Sequence, residues 1–156
     1  MIALDIPGFG ALALEHLVLD YNGTLAVDGR LLPGVAEALA GLAADLSIHV
    51  ITADTFGLAR EQLAGLPLQL HIAPVEGQAE TKLAFIAGLG TDKVVAIGNG
   101  RNDRRMVEAA ALGIGLVQRE GGAAATLAKA DLVCTAILDA LELLRHPKRL
   151  TATLRS

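Results

Sequence analysis

Along the chain, apolar residues gather in short continuous runs, and between the runs they recur at helical spacing. The runs His16–Asp20, Ile48–Thr52, Leu68–Ile72, Val94–Gly98 and Gly113–Val117, with a shorter one at Leu132–Cys134, show little alternation of polar and apolar positions. Runs of this kind predict strands covered on both faces by helices, because strict alternation belongs to sheets with one wet face. The stretches between them predict helices over Gly34–Ala44, Leu58–Ala64, Gln78–Leu89, Arg104–Ala111 and Ala123–Ala130, and a long last helix from Ile137. Pro33 suits the first turn of the first helix. Gly65, Gly90 and Gly113 stand near helix ends, where a left-handed residue is useful. Ahead of the first core strand, Ile2–Ile6 and Ala11–Leu14 flank Pro7-Gly8-Phe9-Gly10, which predicts a β-hairpin with a Pro-Gly turn.

The alternation of strands and helices implies an α/β fold: a three-layer, Rossmann-like open parallel sheet. With no repeat, low-complexity segment or linker, one domain is expected over 1–156, with the hairpin as residues 1–14 and a C-terminal helix as 137–156. In such sheets ligands bind beyond the carboxyl ends of the strands, near the point where strand order reverses.

Composition narrows the function classes. Hydrophobic residues make up 53% and charged residues 19%, which excludes a disordered chain. A net charge of -4 provides no basic surface for a nucleic-acid backbone, so no polynucleotide partner is expected. The positive cluster Arg145, Lys148, Arg149 and Arg155 reads as a solvated helix end. Cys134 is the only cysteine, in an apolar run, and is expected to be a buried core thiol in a reducing cytoplasm. No secretion signal and no bilayer-length apolar stretch is present, so a soluble protein without a membrane partner is expected. The mean hydropathy of +0.49 with few aromatics fits surface buried in a homo-oligomer, the expected state, although alanine richness alone would also produce it.

The candidate chemistry lies at strand ends. Asp20 closes the first core strand and leads into Tyr21-Asn22-Gly23-Thr24, so its carboxylate can act there as a nucleophile toward phosphorus. Thr52 ends the second strand, ahead of Ala53-Asp54, and offers a hydroxyl at the same edge. Lys82, in the first turns of the helix after the third strand, can bring a cation there. The fourth strand runs into Gly98-Asn99-Gly100-Arg101-Asn102-Asp103, where Asp103 can help to hold a hard cation. Together these groups suffice for phosphoryl transfer, which depends on positioning and charge neutralisation. The histidines His16, His49, His71 and His146 show no metal-ligand spacing and read as structural or surface residues.

These motifs resemble those of the haloacid-dehalogenase superfamily. Asp20, Gly23 and Thr24 match its Asp-x-x-Gly-Thr turn, Thr52 its second motif, Lys82 its third, and Gly98 with Asp103 its acidic loop. Asp20–Leu25, Ile51–Asp54 and Gly98–Asp103 look most like the phosphorylation domain of P-type ATPases. The resemblance spans roughly Glu15 to Val133. It implies a Mg²⁺-dependent phosphohydrolase working through an aspartyl phosphate, with a phosphorylated small molecule or phosphoprotein as substrate. It implies Asp20, Asn22, Thr52 and Lys82 as catalytic residues. Thr24, Thr52, Ala53, Lys82 and Asn102 would contact the phosphorylated ligand. Asp20, Asn22, Asn99 and Asp103 would hold Mg²⁺.

Two positions depart from the pattern. Asn22 stands where most phosphatases of the superfamily carry an acid/base Asp, and an amide cannot exchange a proton in that way. Asn99 stands where the ATPase loop has a metal-binding Asp, and an amide oxygen brings no negative charge. Slow turnover is therefore expected. Two other readings remain open: a non-catalytic domain that binds a phosphorylated ligand or protein partner, and a phosphotransferase to an acceptor other than water. Only 31 residues separate Asp20 from Thr52 and 29 separate Thr52 from Lys82, so neither gap can hold a cap domain.

Overall fold

A computed structural model describes all 156 residues. The hairpin forms as expected from β1 (Ile2–Ile6) and β2 (Gly10–Leu14), with Ile6 opposite Gly10 and Gly8 left-handed in the turn. The central sheet contains β3 (His16–Leu19), β6 (Ser47–Thr52), β7 (Gln69–Ile72), β8 (Val94–Gly98), β9 (Leu112–Leu116) and β10 (Leu132–Cys134). These six strands are parallel and lie in the order β10-β9-β8-β3-β6-β7. From β3 the chain builds outward through β6 and β7, then crosses back to place β8 on the other side of β3. The reversal of strand order therefore falls at β3, which opens a crevice beyond its carboxyl end.

Helices cover both faces. The side chains of Leu17 and Leu19 on β3, Val95 and Ile97 on β8 and Ile114 and Leu116 on β9 pack with α1 (Val35–Leu42) and α6 (Ile137–Arg145) in the larger core. Val18 and Ala96 point the opposite way, toward Ile86 of α3 (Gln78–Leu89) and Met106 of α4 (Arg104–Ala109). This two-sided burial explains why the strands read as unbroken apolar runs. Two short helices, α2 (Ala59–Gln62) and α5 (Ala124–Leu127), complete the connections.

Four expectations change. The last helix is broken into α6 and α7 (Pro147–Leu154), because Pro147 cannot donate a backbone hydrogen bond and biases His146 away from helical geometry. Pro33 lies ahead of the left-handed N-cap Gly34 and outside the first turn of α1. Gly113 sits inside β9, where any Cβ would strike the Val107 carbonyl of α4, so close helix–sheet packing explains it. Cys134 is half-buried on the edge strand β10, where burial and Asp139 push its thiol pKa up. The small hairpin β4 (Ala26–Val27) and β5 (Arg30–Leu31) was not visible as an apolar pattern, since each strand has only two residues. Segments 21–51 and 53–81 are filled by these core elements, and no cap is inserted. No helix is long and apolar enough to cross a membrane.

Candidate active site

The turn after β3 places Asp20 at the mouth of the crevice and Tyr21 beneath it. Tyr21 is fully buried and donates its hydroxyl to the Gly29 carbonyl at 2.8 Å, anchoring the β4–β5 turn. Burial, with the Asp54 charge added, pushes its pKa up to about 12. Gly23 is left-handed at φ 81°, and a Cβ there would collide with the Asn99 side chain, so only glycine lets the two loops approach this closely.

Lys82 is fully buried and satisfies the site's electrostatics. Its Nζ donates to Asp20 Oδ1 at 2.9 Å, to Asp103 Oδ1 at 2.7 Å and to Asn102 Oδ1 at 3.2 Å. Burial alone would lower its pKa, but the two carboxylates outweigh it and raise the pKa above the usual lysine range. Asp103 also accepts the Gly100 N–H on Oδ2 at 3.0 Å. Burial pushes the Asp103 carboxyl up to about 7, the Asp20 charge adds to the rise, and Lys82 opposes it.

A cavity of about 160 Å³ lies over Asp20, lined by Asn22, Thr52, Ala53, Thr55, Gln78, Asn99, Gly100 and Asn102, with a single apolar residue among them. Thr52 accepts the Asp54 N–H on Oγ1 at 3.0 Å, which leaves its hydroxyl proton free for a ligand. Asn102 donates to Gln78 Oε1 at 3.0 Å while accepting from Lys82, so it ties α3 to the β8 loop. A wider groove of about 610 Å³ near Met1, Glu15 and Asp45 lies at the opposite end of the sheet, away from these groups.

Asp20, Asn22, Thr52, Ala53, Asn99 and Asn102 thus meet at one cavity, whereas Thr24 and Lys82, expected at the phosphorylated ligand, and Asp103, expected at Mg²⁺, do not line it. Thr24 is buried behind Asp20, with its hydroxyl 3.4 Å from both Asp20 Oδ2 and Asn99 Oδ1, so it orients those groups. Lys82 has all three protons on protein oxygens and none left for a phosphoryl oxygen. Asp103 has both oxygens engaged and supports the loop from within. Thr55 and Gln78 escaped the sequence reading. Gln78 lies four residues before Lys82, so helical spacing could have found it; Thr55 lies on a loop without period.

The donor set fits a hard cation. Two carboxylates against one ammonium leave one negative charge, carried toward the cavity by Asp20. Asn22 Oδ1 is buried with no hydrogen-bond partner, and Asn99 Oδ1 has only the long Thr24 contact. All these donors are oxygens, as Mg²⁺ prefers.

No protein-family model matches the chain. An uncharacterised protein of Methanocaldococcus jannaschii is 44% identical over 63 residues, covering 40% of this chain and 68% of that one, and the two share a family. The cobalt-bound deoxy-D-mannose-octulosonate 8-phosphate phosphatase of Haemophilus influenzae superposes with a TM-score of 0.72 at 12% identity, over 92% of this chain and 94% of the enzyme. The Moraxella catarrhalis 3-deoxy-D-manno-octulosonate 8-phosphate phosphatase, in complex with magnesium, phosphate and KDO, gives a TM-score of 0.64 at 18% identity, over 91% and 94%. The chain therefore has the fold of the haloacid-dehalogenase-family hydrolases. A zinc-transporting PIB-type ATPase also shares this fold over 78% of this chain and 20% of its own length, with a TM-score of 0.60 and 23% identity.

Proposed function

We propose that this haloacid-dehalogenase-like chain is a Mg²⁺-dependent phosphohydrolase that forms an aspartyl phosphate on Asp20. The observation that carries the reading is the buried Lys82, which holds Asp20 by Oδ1 at the cavity wall and leaves Oδ2 with only the long Thr24 contact. A domain that only binds ligands has no need to orient a carboxylate in this way. The phosphatase neighbours support the same reaction class.

In this mechanism Asp20 Oδ2 attacks phosphorus in line with the ester bond. The Oδ2–P bond forms, and the P–O ester bond breaks with its electron pair passing to the leaving oxygen. Asn22 has no proton to give, so the leaving oxygen takes one from solvent and poor leaving groups react slowly. The Thr52 hydroxyl donates to a phosphoryl oxygen. Water then attacks phosphorus, its P–O bond forms as the P–Oδ2 bond breaks with its electron pair returning to the Asp20 carboxylate, and the proton of the attacking water passes to solvent. Asp20, Asn22 and Asn99 would hold Mg²⁺, with Asp103 and Lys82 behind them; the ion would offset the repulsion between carboxylate and phosphate. The substrate is a phosphorylated small molecule or phosphoprotein. The open site and apolar composition favour a cytoplasmic homo-oligomer in which a neighbour shields the cavity.

A panel of small phosphate esters assayed with Mg²⁺, using Asp20→Asn as the blank, tests the proposal. Mg²⁺-dependent release of phosphate by wild type alone is expected. Equal release by Asp20→Asn removes Asp20 from its role, and no release by either protein leaves the non-catalytic reading standing.

A further inference from the structure

Two loops must stay in register for Asp20 to work: the turn after β3 and the loop after β8. A third segment touches both. Gln118 follows β9, and its Nε2 donates to the Gly23 carbonyl at 3.1 Å and the Thr24 carbonyl at 3.0 Å. Its Oε1 accepts the Ile137 N–H at 2.8 Å, which fixes the amide orientation and ties the arrangement to the start of α6. The turn that Gln118 opens is closed by the Gly121 N–H on the Gln118 carbonyl at 2.9 Å, with Gly121 left-handed.

The same turn holds the β8 loop. Asn99 Nδ2 donates to the Gly121 carbonyl at 3.1 Å, and the Asn99 carbonyl accepts the Ala123 N–H at 2.7 Å. Thr126, fully buried, donates its hydroxyl to the Gly100 carbonyl at 2.6 Å. With Nδ2 on a carbonyl, the Asn99 Oδ1 is left facing Thr24 and Asp20. A carboxylate at position 99 would instead set one of its oxygens against the Gly121 carbonyl, with no proton between them. The amide is therefore the side chain that this turn accepts.

We infer that Gln118 is a positioning residue that registers the Asp20 turn against the Asn99 loop, with Gly121, Ala123 and Thr126 holding that loop. It acts through Gly23, Thr24 and Asn99 and touches neither ligand nor reacting atoms. On this reading Asn99 belongs to a built site and is not a relic of a lost one. The inference rests on the phosphohydrolase reading for its effect on rate, but not for its effect on geometry.

Gln118→Glu tests it. The substitution keeps the acceptor for Ile137 N–H and removes both donors to the Asp20 turn. Arg119→Ala, an exposed neighbour on the same turn, is the control. Three quantities are measured on each full-length protein: Mg²⁺-dependent turnover, the Mg²⁺ midpoint from NMR titration, and the Asn99 side-chain and Gly23 and Thr24 backbone amide signals. For Gln118→Glu, a fall in kcat of about 10–100-fold, as for a small misplacement of reacting groups, is expected with a raised Mg²⁺ midpoint and shifted signals. Arg119→Ala should match wild type. If wild type proves inactive, the NMR titration and signals still decide, because they need no turnover. A Gln118→Glu protein with wild-type signals and Mg²⁺ midpoint overturns the inference, whatever happens to its melting temperature.

Discussion

The face of the sheet beneath α3 carries two lines of three titratable groups, and they solve opposite problems. At the carboxyl end, Asp20, Lys82 and Asp103 alternate in sign, with N–O distances of 2.9 and 2.7 Å. Farther back, His16, His49 and His71 stand side by side on β3, β6 and β7, with ring nitrogens 3.4 Å apart on both sides of His49. Phe85 of α3 packs edge-on against His49, with centroids 5.4 Å apart, and lies 4.5 Å from the His71 ring. In the first line the Lys82 ammonium lies between two carboxylates, so its charge is held although it is buried. In the second, three like bases have no acidic partner, so burial and mutual repulsion push the His49 pKa down to about 4. His49 uses one ring nitrogen toward each neighbour, so the rings do not converge on a point and make no metal centre. One helix serves both regions, since Lys82 and Phe85 lie three residues apart on α3.

Breaking the first line has the largest expected effect. Lys82→Met leaves two buried carboxylates uncompensated and should cost about 3–5 kcal/mol. Thermal unfolding should show a fall in Tm of roughly 2–4 °C per kcal/mol for a chain of this length, together with loss of turnover. A melting point within a degree or two of wild type would show that the triad is not held as described. The pH dependence has a definite sign: the Lys82 pKa is raised in the fold, so its contribution is complete below about 10.5 and is lost as pH climbs through the higher folded value.

Adding a carboxylate sharpens the contrast. Asn22→Asp places a proton carrier beside Asp20 and should raise hydrolysis of alkyl phosphates by about 10²–10⁴-fold, with less gain on activated aryl esters. Steady-state rates on both ester classes check it. No gain on alkyl esters, with Mg²⁺ still bound, would mean that proton supply is not the bottleneck.

The histidine row should show itself as a smaller, acid-side effect. The folded His49 pKa lies below the unfolded value of 6.5, so neutral His49 supports stability above pH 6.5 and that contribution is lost as pH falls toward 4. Melting curves from pH 7 to pH 4.5 should drop by several degrees more for wild type than for His49→Gln. Parallel curves would mean that the row is not a source of acid sensitivity.

The smallest expected effect is none at all. Asn22-Gly23 and Asn99-Gly100 have the sequence of deamidation sites, and conversion would add two carboxylates to the charged line. The attacking nitrogens are occupied: the Gly23 N–H donates to the Ala26 carbonyl at 2.8 Å and the Gly100 N–H to Asp103 at 3.0 Å. Peptide mass spectrometry of aged folded protein should find both residues intact.

Much of the frame was legible because it rests on local rules. Buried parallel strands must be apolar on both faces, so the six core strands fell within a residue or so of their expected bounds. The residues Asp20, Thr52 and Asn99 were legible because strand ends in such a sheet meet at one edge. Thr24, Lys82 and Asp103 were found as residues, but their places behind the cavity lining were not legible. Nothing in their spacing says that Lys82 has spent its three protons or that Thr24 lies behind Asp20. Gln118 and the histidine row carry no motif at all; they are assembled from strands and turns as much as 95 residues apart.

The sequence by itself determined the sheet, the edge where chemistry is possible and the types of residue brought to it, because apolar period and chain order dictate these locally. Only the tertiary structure decided which of those groups face the cavity, which are consumed in holding one another, and that three separated histidines share one surface. Those outcomes depend on distances of a few tenths of an ångström between elements remote in sequence, where one hydrogen bond made or missed turns a ligand contact into a support.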